Sequence, residues 1–194
     1  VESWLKGQTA DIESIAEYPY VRDGLPAFGR RDGDSAAGEL SQFLKIFQSH
    51  STAFADLVLY DADWRPVASD GEEHGAHSGL SPDLKAAVEK GGGTYLGKPH
   101  KHGDSTVGLH VARAVLDSEG RRIGAVFANL NLSKGFDAIL QERSGLGDSG
   151  KMYAVSASGR ILTAPRQNGD PDLVGRQVFA PLMKVADPAG PRVL

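Results

Sequence analysis

The sequence contains no cysteine. This excludes disulfides, thiol nucleophiles and Cys-ligated zinc together, and it fits a protein that folds in an oxidising compartment without covalent staples. Long apolar runs are also missing, since the longest, such as Leu57 to Tyr60, have four residues. Runs so short build neither a membrane-spanning helix nor the core of a secretion signal. No sign of charge dominates: 21 basic and 25 acidic residues are spread along the chain for a net charge of -4. Without a basic field to attract a polyanion, nucleic acid is excluded as a partner. The chain opens on Val1 inside a helical pattern, and further sequence is expected before it.

What is present describes a globular protein with a real core. Hydrophobic residues make up 40% of the 194 positions and charged residues 24%, enough for one good-sized domain or one domain and part of a second. In residues 1 to 19, Leu5, Ile12, Ile15 and Ala16 fall on one side of a helix that Pro19 ends or kinks. "RDGLPAFGRRDGD" reads as a loop. Asp34 and Ser35 then cap a second helix, in which Leu40, Phe43, Leu44 and Phe47 follow the i, i+3, i+4, i+7 rule.

The period then changes from helix to strand. "ADLVLYDADWRPVASD" predicts a buried strand, a turn at Asp61 to Trp64 and a second strand. Ser81 and Pro82 start a short helix carrying Leu84, Ala87 and Val88, which the glycines 91 to 93 end. After the strand and loop of "GTYLGKPHKHGDS", two long strands, 106 to 116 and 121 to 132, are joined at "DSEG", and Ser133 caps a helix with Phe136, Ile139 and Leu140. Residues 154 to 164, "AVSASGRILTA", then repeat the plan of residues 59 to 69, "LYDADWRPVAS", with Ala157 matching Ala62 and Arg160 matching Arg65.

This order of elements, carried by "LVLYDADWRPVAS", "VARAVLDSEGRRIGAVFANLNLSKGFDAIL" and "GLGDSGKMYAVSASGRILTAP", resembles the double-Cache family of extracytoplasmic sensor domains. The resemblance implies an α+β fold in which a long N-terminal helix packs on PAS-like antiparallel sheet modules in tandem. It divides the chain into an N-terminal helical stalk and second helix (1–52), a membrane-distal module (53–143) and the start of a membrane-proximal module (144–194), truncated or naturally reduced. The function it implies is ligand sensing by the periplasmic part of an inner-membrane receptor, with a histidine kinase favoured as output over a chemoreceptor or a cyclic-dinucleotide enzyme. It also implies a homodimer through the N-terminal helix, transmembrane helices outside this chain, no cofactor and no catalysis.

Family members that bind amino acids take the carboxylate with Arg, Trp and Tyr after the short helix, and "KGGGTYLGKPHKH" lacks that clamp. Their Pro-Tyr-x-Asp segment is matched by Pro99, His100, Lys101 and His102. Their amine-binding aspartate, in Gly-x-x-x-x-Asp, is matched by Asn129 counted from Gly124, and a neutral amide cannot supply that charge. Lys98, His100, His102, His110 and Arg113 instead suit a small anion such as a carboxylate, with Arg113 the bidentate contact and Tyr60 and Tyr95 as walls. Strand alternation sends Arg113 and His110 to opposite faces, so one pocket takes both only across a bulge. For each of these side chains an ordinary packing or surface role is the alternative.

Two further chemistries are weaker. His100 with His102, and His74 with His77 beside Glu72 and Glu73, have spacings that could hold a metal, although such pairs are common in solvated loops. His102, Asp104 and Ser105 offer the residue types of a hydrolytic triad but are mere neighbours in a loop, and "GLGDSGK" lacks the spacing of a phosphate loop. A structural or interaction module without a small ligand is the remaining alternative.

Overall fold

The computed structural model describes residues 2–27, 33–51, 53–70, 80–91, 93–101, 107–132 and 134, and beyond them residues 154, 155, 159, 161, 176 and 177. The chain forms two units, one of Val1–Gly97 with His110–Leu130 and Val193–Leu194, the other of Lys98–Leu109 with Asn131–Arg192.

The first unit begins with α1 (Glu2–Glu17), whose Ile12, Ile15 and Ala16 are buried as the apolar stripe requires. Pro19 does more than end it. Lacking an N–H that a first helical turn would leave unused anyway, it opens a second short helix, α2 (Pro19–Gly24), and a 3-10 turn at Leu25–Ala27 follows. The stretch expected to be a loop from Arg22 is thus helical to Ala27, because Val21 and Leu25, four residues apart, are both buried. In α3 (Gly33–Ser49), Leu40 and Leu44 are buried, and the ring of Phe47 lies 6.1 Å from that of Phe54.

The strands of this unit are β1 (Phe54–Asp61), β2 (Pro66–Ser69), β3 (Tyr95–Leu96), the later part of β5 (Val107–Leu116) and β6 (Arg122–Asn131). They pair antiparallel in the order β2-β1-β6-β5-β3. Register places Val58 opposite Phe127, Tyr60 opposite Ala125 and Asp56 opposite Asn129. A side chain at Gly124 would run into the Tyr60 carbonyl oxygen and approach Leu25 Cδ1 to 2.9 Å, so the close passage of β6 past β1 and the 3-10 turn requires glycine there. α4 (Pro82–Glu89) is capped as its sequence predicts: Ser81 Oγ accepts from the Leu84 N–H at 3.2 Å, and Pro82 occupies the first turn.

Both hairpin turns use one scheme. Asp61 N–H donates to the Arg65 carbonyl, Trp64 N–H to the Asp61 carbonyl, and Asp61 Oδ1 accepts from the amides of Asp63 and Arg65. Asp117, Glu119, Gly120 and Arg121 repeat these bonds between β5 and β6.

In the second unit β4 (His100–Lys101) pairs with the start of β5, His100 opposite Gly108 and Lys101 opposite Val107. Asn131 Oδ1 accepts from Lys134 N–H at 3.0 Å, so the cap of the helix entered at Leu132 is Asn131, two residues before the expected Ser133. Phe136, Ile139 and Leu140, expected on that helix, lie outside the described residues. Of the repeated hairpin, Val155 bridges antiparallel to Ile161, and Gly159 between them has φ 79°.

Candidate functional site

Because side chains alternate along a strand, the sheet of the first unit has two faces of different character. One carries Val58, Tyr60, Ala112, Ala125 and Phe127, covered by Leu84 and Val88 of α4, with Trp64, Leu80 and Tyr95 at its margin. Phe127 meets the ring of Tyr60 edge-on, with centroids 6.4 Å apart, and the imidazole of His110 lies 5.1 Å from it on the other side. Burial pushes the Tyr60 phenol above its ordinary pKa, so it stays a neutral donor.

At the end of this apolar surface sit two polar side chains. Asp56 is 6% exposed and Asn129 3%, and Asn129 Nδ2 donates to Asp56 Oδ2 at 3.5 Å across the β1–β6 pair. Two strongly hydrated groups side by side in a sheet core are costly to bury, a cost that hydrogen bonding such as theirs offsets. The α4 face therefore places aromatic rings on the same side of the sheet as a buried carboxylate and amide.

Arg113 lies on the opposite face, as alternation from His110 requires. Its Nη2 reaches Glu13 Oε1 at 2.6 Å and Glu17 Oε1 at 3.0 Å, two carboxylates one turn apart on α1, and Nη1 donates to Thr94 Oγ1 at 3.3 Å. A cleft of about 490 Å³ opens beside it, lined in part by Ala16, Glu17, Arg22, Leu116 and Asp117.

The structure thus brings Tyr60, His110 and Asn129 to one face with Tyr95 at its edge, and holds Arg113 on the other. No bulge of β5 returns the guanidinium to them. Lys98, which is exposed, and His100, in β4, belong to the second unit. His74, His77, His102, Asp104 and Ser105 lie outside the described residues. Among the described residues no three His, Asp or Glu side chains cluster as a metal site would need. Asp56 is the residue that sequence reasoning missed. Its signal was present, since a carboxylate two positions before Val58 and four before Tyr60 shares their face.

The sequence matches no protein-family model and no curated protein. Solved structures do match in fold. The extracellular domain of the putative histidine kinase rpHK1S-Z16 superposes with a TM-score of 0.64 at 16% identity, covering 95% of this chain and 71% of its own. The ligand-binding domain of the Pseudomonas aeruginosa PAO1 amino acid chemoreceptor PctC, in complex with GABA, gives 0.59 at 22%, covering 90% and 72%. The E. coli DcuS sensor domain gives 0.54 at 16%, covering 71% of this chain and 96% of its own. The chain shares with these structures an α+β, Cache/PAS-like fold, an N-terminal helix with an antiparallel sheet. The expected architecture, an N-terminal helix with a PAS-like antiparallel sheet, is therefore correct. No helix among the described residues is long and apolar enough to cross a membrane.

Proposed function

We propose that this chain is the extracytoplasmic ligand-sensing domain of a membrane-anchored signalling receptor, and that it acts by binding rather than catalysis. Residues 53–143 serve as the sensing module and residues from 144 begin a second one. A histidine kinase output is favoured by the likeness to the extracellular domain of one such putative kinase. The α4 face is the ligand site, with Tyr60, Tyr95 and His110 as walls and Asn129 with Asp56 as the polar end.

The observation that carries this reading is the Asn129–Asp56 pair, buried and 3.5 Å apart at the edge of an aromatic surface. It also refines the ligand class. A small anion was expected chiefly because of Arg113, and that guanidinium is committed to α1 on the other face. On the α4 face the charge is Asp56, which favours a ligand carrying an amine or another hydrogen-bond donor. Lys98, His100 and His102 stay candidate carboxylate donors of the second unit. Binding biases the equilibrium between two arrangements of sheet and helix, and α1, paired with α1 of a second copy, carries that bias onward.

Calorimetric titration of the purified chain with amino acids, with their des-amino acids and with simple alkylamines tests the reading. Saturable binding of compounds that carry the amine, absent for their des-amino counterparts, is the expected result. Binding of the des-amino acids alone would return the α4 face to the anion reading.

A further inference from the structure

The cleft beside Arg113 has no part in the site on the α4 face, and its charges are unevenly satisfied. Asp117 is fully engaged: Oδ1 accepts from the amides of Glu119 and Arg121, and Oδ2 pairs with Arg121 Nε at 2.8 Å. Glu13 holds Arg113 at 2.6 Å. Glu17 holds it more loosely, at 3.0 Å, with a side chain 64% exposed. The guanidinium of Arg22, half-buried on α2 and lining the same cleft, has no hydrogen bond or ion pair among the described residues. One guanidinium thus lines the cleft without a carboxylate, together with another whose outer carboxylate is a solvated side chain.

We propose that this cleft is a second binding site, for a small carboxylate held by Arg22 and Arg113, and that Glu17 is a built-in competitor which the ligand displaces. The chemistry follows from what the cleft already does. Arg113 Nη2 donates to one oxygen of each of two of the chain's own carboxylates, and an incoming carboxylate can replace the outer of them without disturbing Glu13 or Thr94. Arg22 adds the charge that Glu17 alone cannot use. The exchange frees the C-terminal turn of α1 from β5 while Glu13 keeps the helix docked, so occupancy is read out on the helix itself. This site stands or falls independently of the ligand site on the α4 face.

The test uses propionate, which reproduces the end of a glutamate side chain, added to the whole purified chain against sodium chloride of equal ionic strength. The Nε–Hε signals of Arg22 and Arg113 are followed by NMR. Saturable shifts of both signals are expected. Glu17→Gln removes the competitor and tightens binding roughly threefold. Arg22→Gln weakens it roughly tenfold. Both substitutions are at exposed or half-exposed positions, so a folding defect does not obscure the result. Shifts that chloride reproduces, binding that Arg22→Gln leaves unchanged, or binding that Glu17→Gln weakens would each overturn the proposal.

Discussion

Trp64 has φ 63°, in the left-handed region where a side chain costs roughly 1–2 kcal/mol. The equivalent position of the β5–β6 turn is Gly120, at φ 79°, and in the repeated hairpin it is Gly159. The first turn therefore keeps a strained residue where two relatives within the same chain relax. What holds it is the ring: Arg122 Cζ lies 5.0 Å above the indole and Lys85 Nζ 5.5 Å from it, while Nε1 donates to Glu89 Oε1 at 2.9 Å. Each cation over the ring contributes about 0.5–1 kcal/mol, enough together to offset the backbone. Two substitutions separate these effects. Trp64→Ala loses the ring and keeps the strain, whereas Trp64→Gly loses the ring and relaxes the turn, so urea denaturation should find the glycine variant more stable by about 1 kcal/mol. An alanine variant as stable as the glycine one would mean that the turn stores no strain. The sequence showed this turn and its arginine but not the strain, because "DADWR" reads as an ordinary turn until φ is known.

Within the hairpin of β5 and β6, the charge of Asp117 does work that its counterpart Asp61 shares with no arginine of its own turn. The backbone and side-chain bonds from Arg121 hold the Asp117 carboxyl below its ordinary pKa. A carboxylate depressed in the folded state stabilises above its unfolded pKa, and that contribution is lost as pH falls through the folded value. Asp117→Asn keeps the amide acceptor for the turn and removes the charge. The variant should melt below the wild type at neutral pH, and the two melting curves should converge below about pH 4, the ordinary carboxylate range. A gap that persists into acid would assign the effect to shape instead of charge. Elements of this kind were the most legible in the sequence: both hairpins, the capped α4 and the long strands lie within a residue or two of their predicted bounds. Residues 22–27 read as a loop in the sequence because the helices there are too short to show a period. Asn131, which caps, also ends a strand, and this hides it as a cap in the sequence and leaves Ser133 as the apparent one.

Over the whole molecule, the fold followed from the order of helix, hairpin, short helix and strand pair, and the site did not, because it depends on which faces meet. Alternation alone separated Arg113 from His110, and only the antiparallel register, with Asp56 opposite Asn129, supplied the buried charge that was thought to be missing. A long arginine is attractive in a sequence as an anion contact; here α1 supplies its anions, Glu17 from 96 residues away and Glu13 from further. The central claim is that the α4 face binds a small ligand. Melting the wild type and Asn129→Ala against a panel of amino acids, amines and carboxylates tests it most directly. A ligand at about one hundred times its dissociation constant adds roughly 2.7 kcal/mol, several degrees in a domain of this size. The account predicts at least one amine-bearing compound that raises the melting point of the wild type by that amount and leaves the folded Asn129→Ala variant unmoved. A shift of equal size in both proteins would contradict it, because the ligand would then sit elsewhere than on the α4 face.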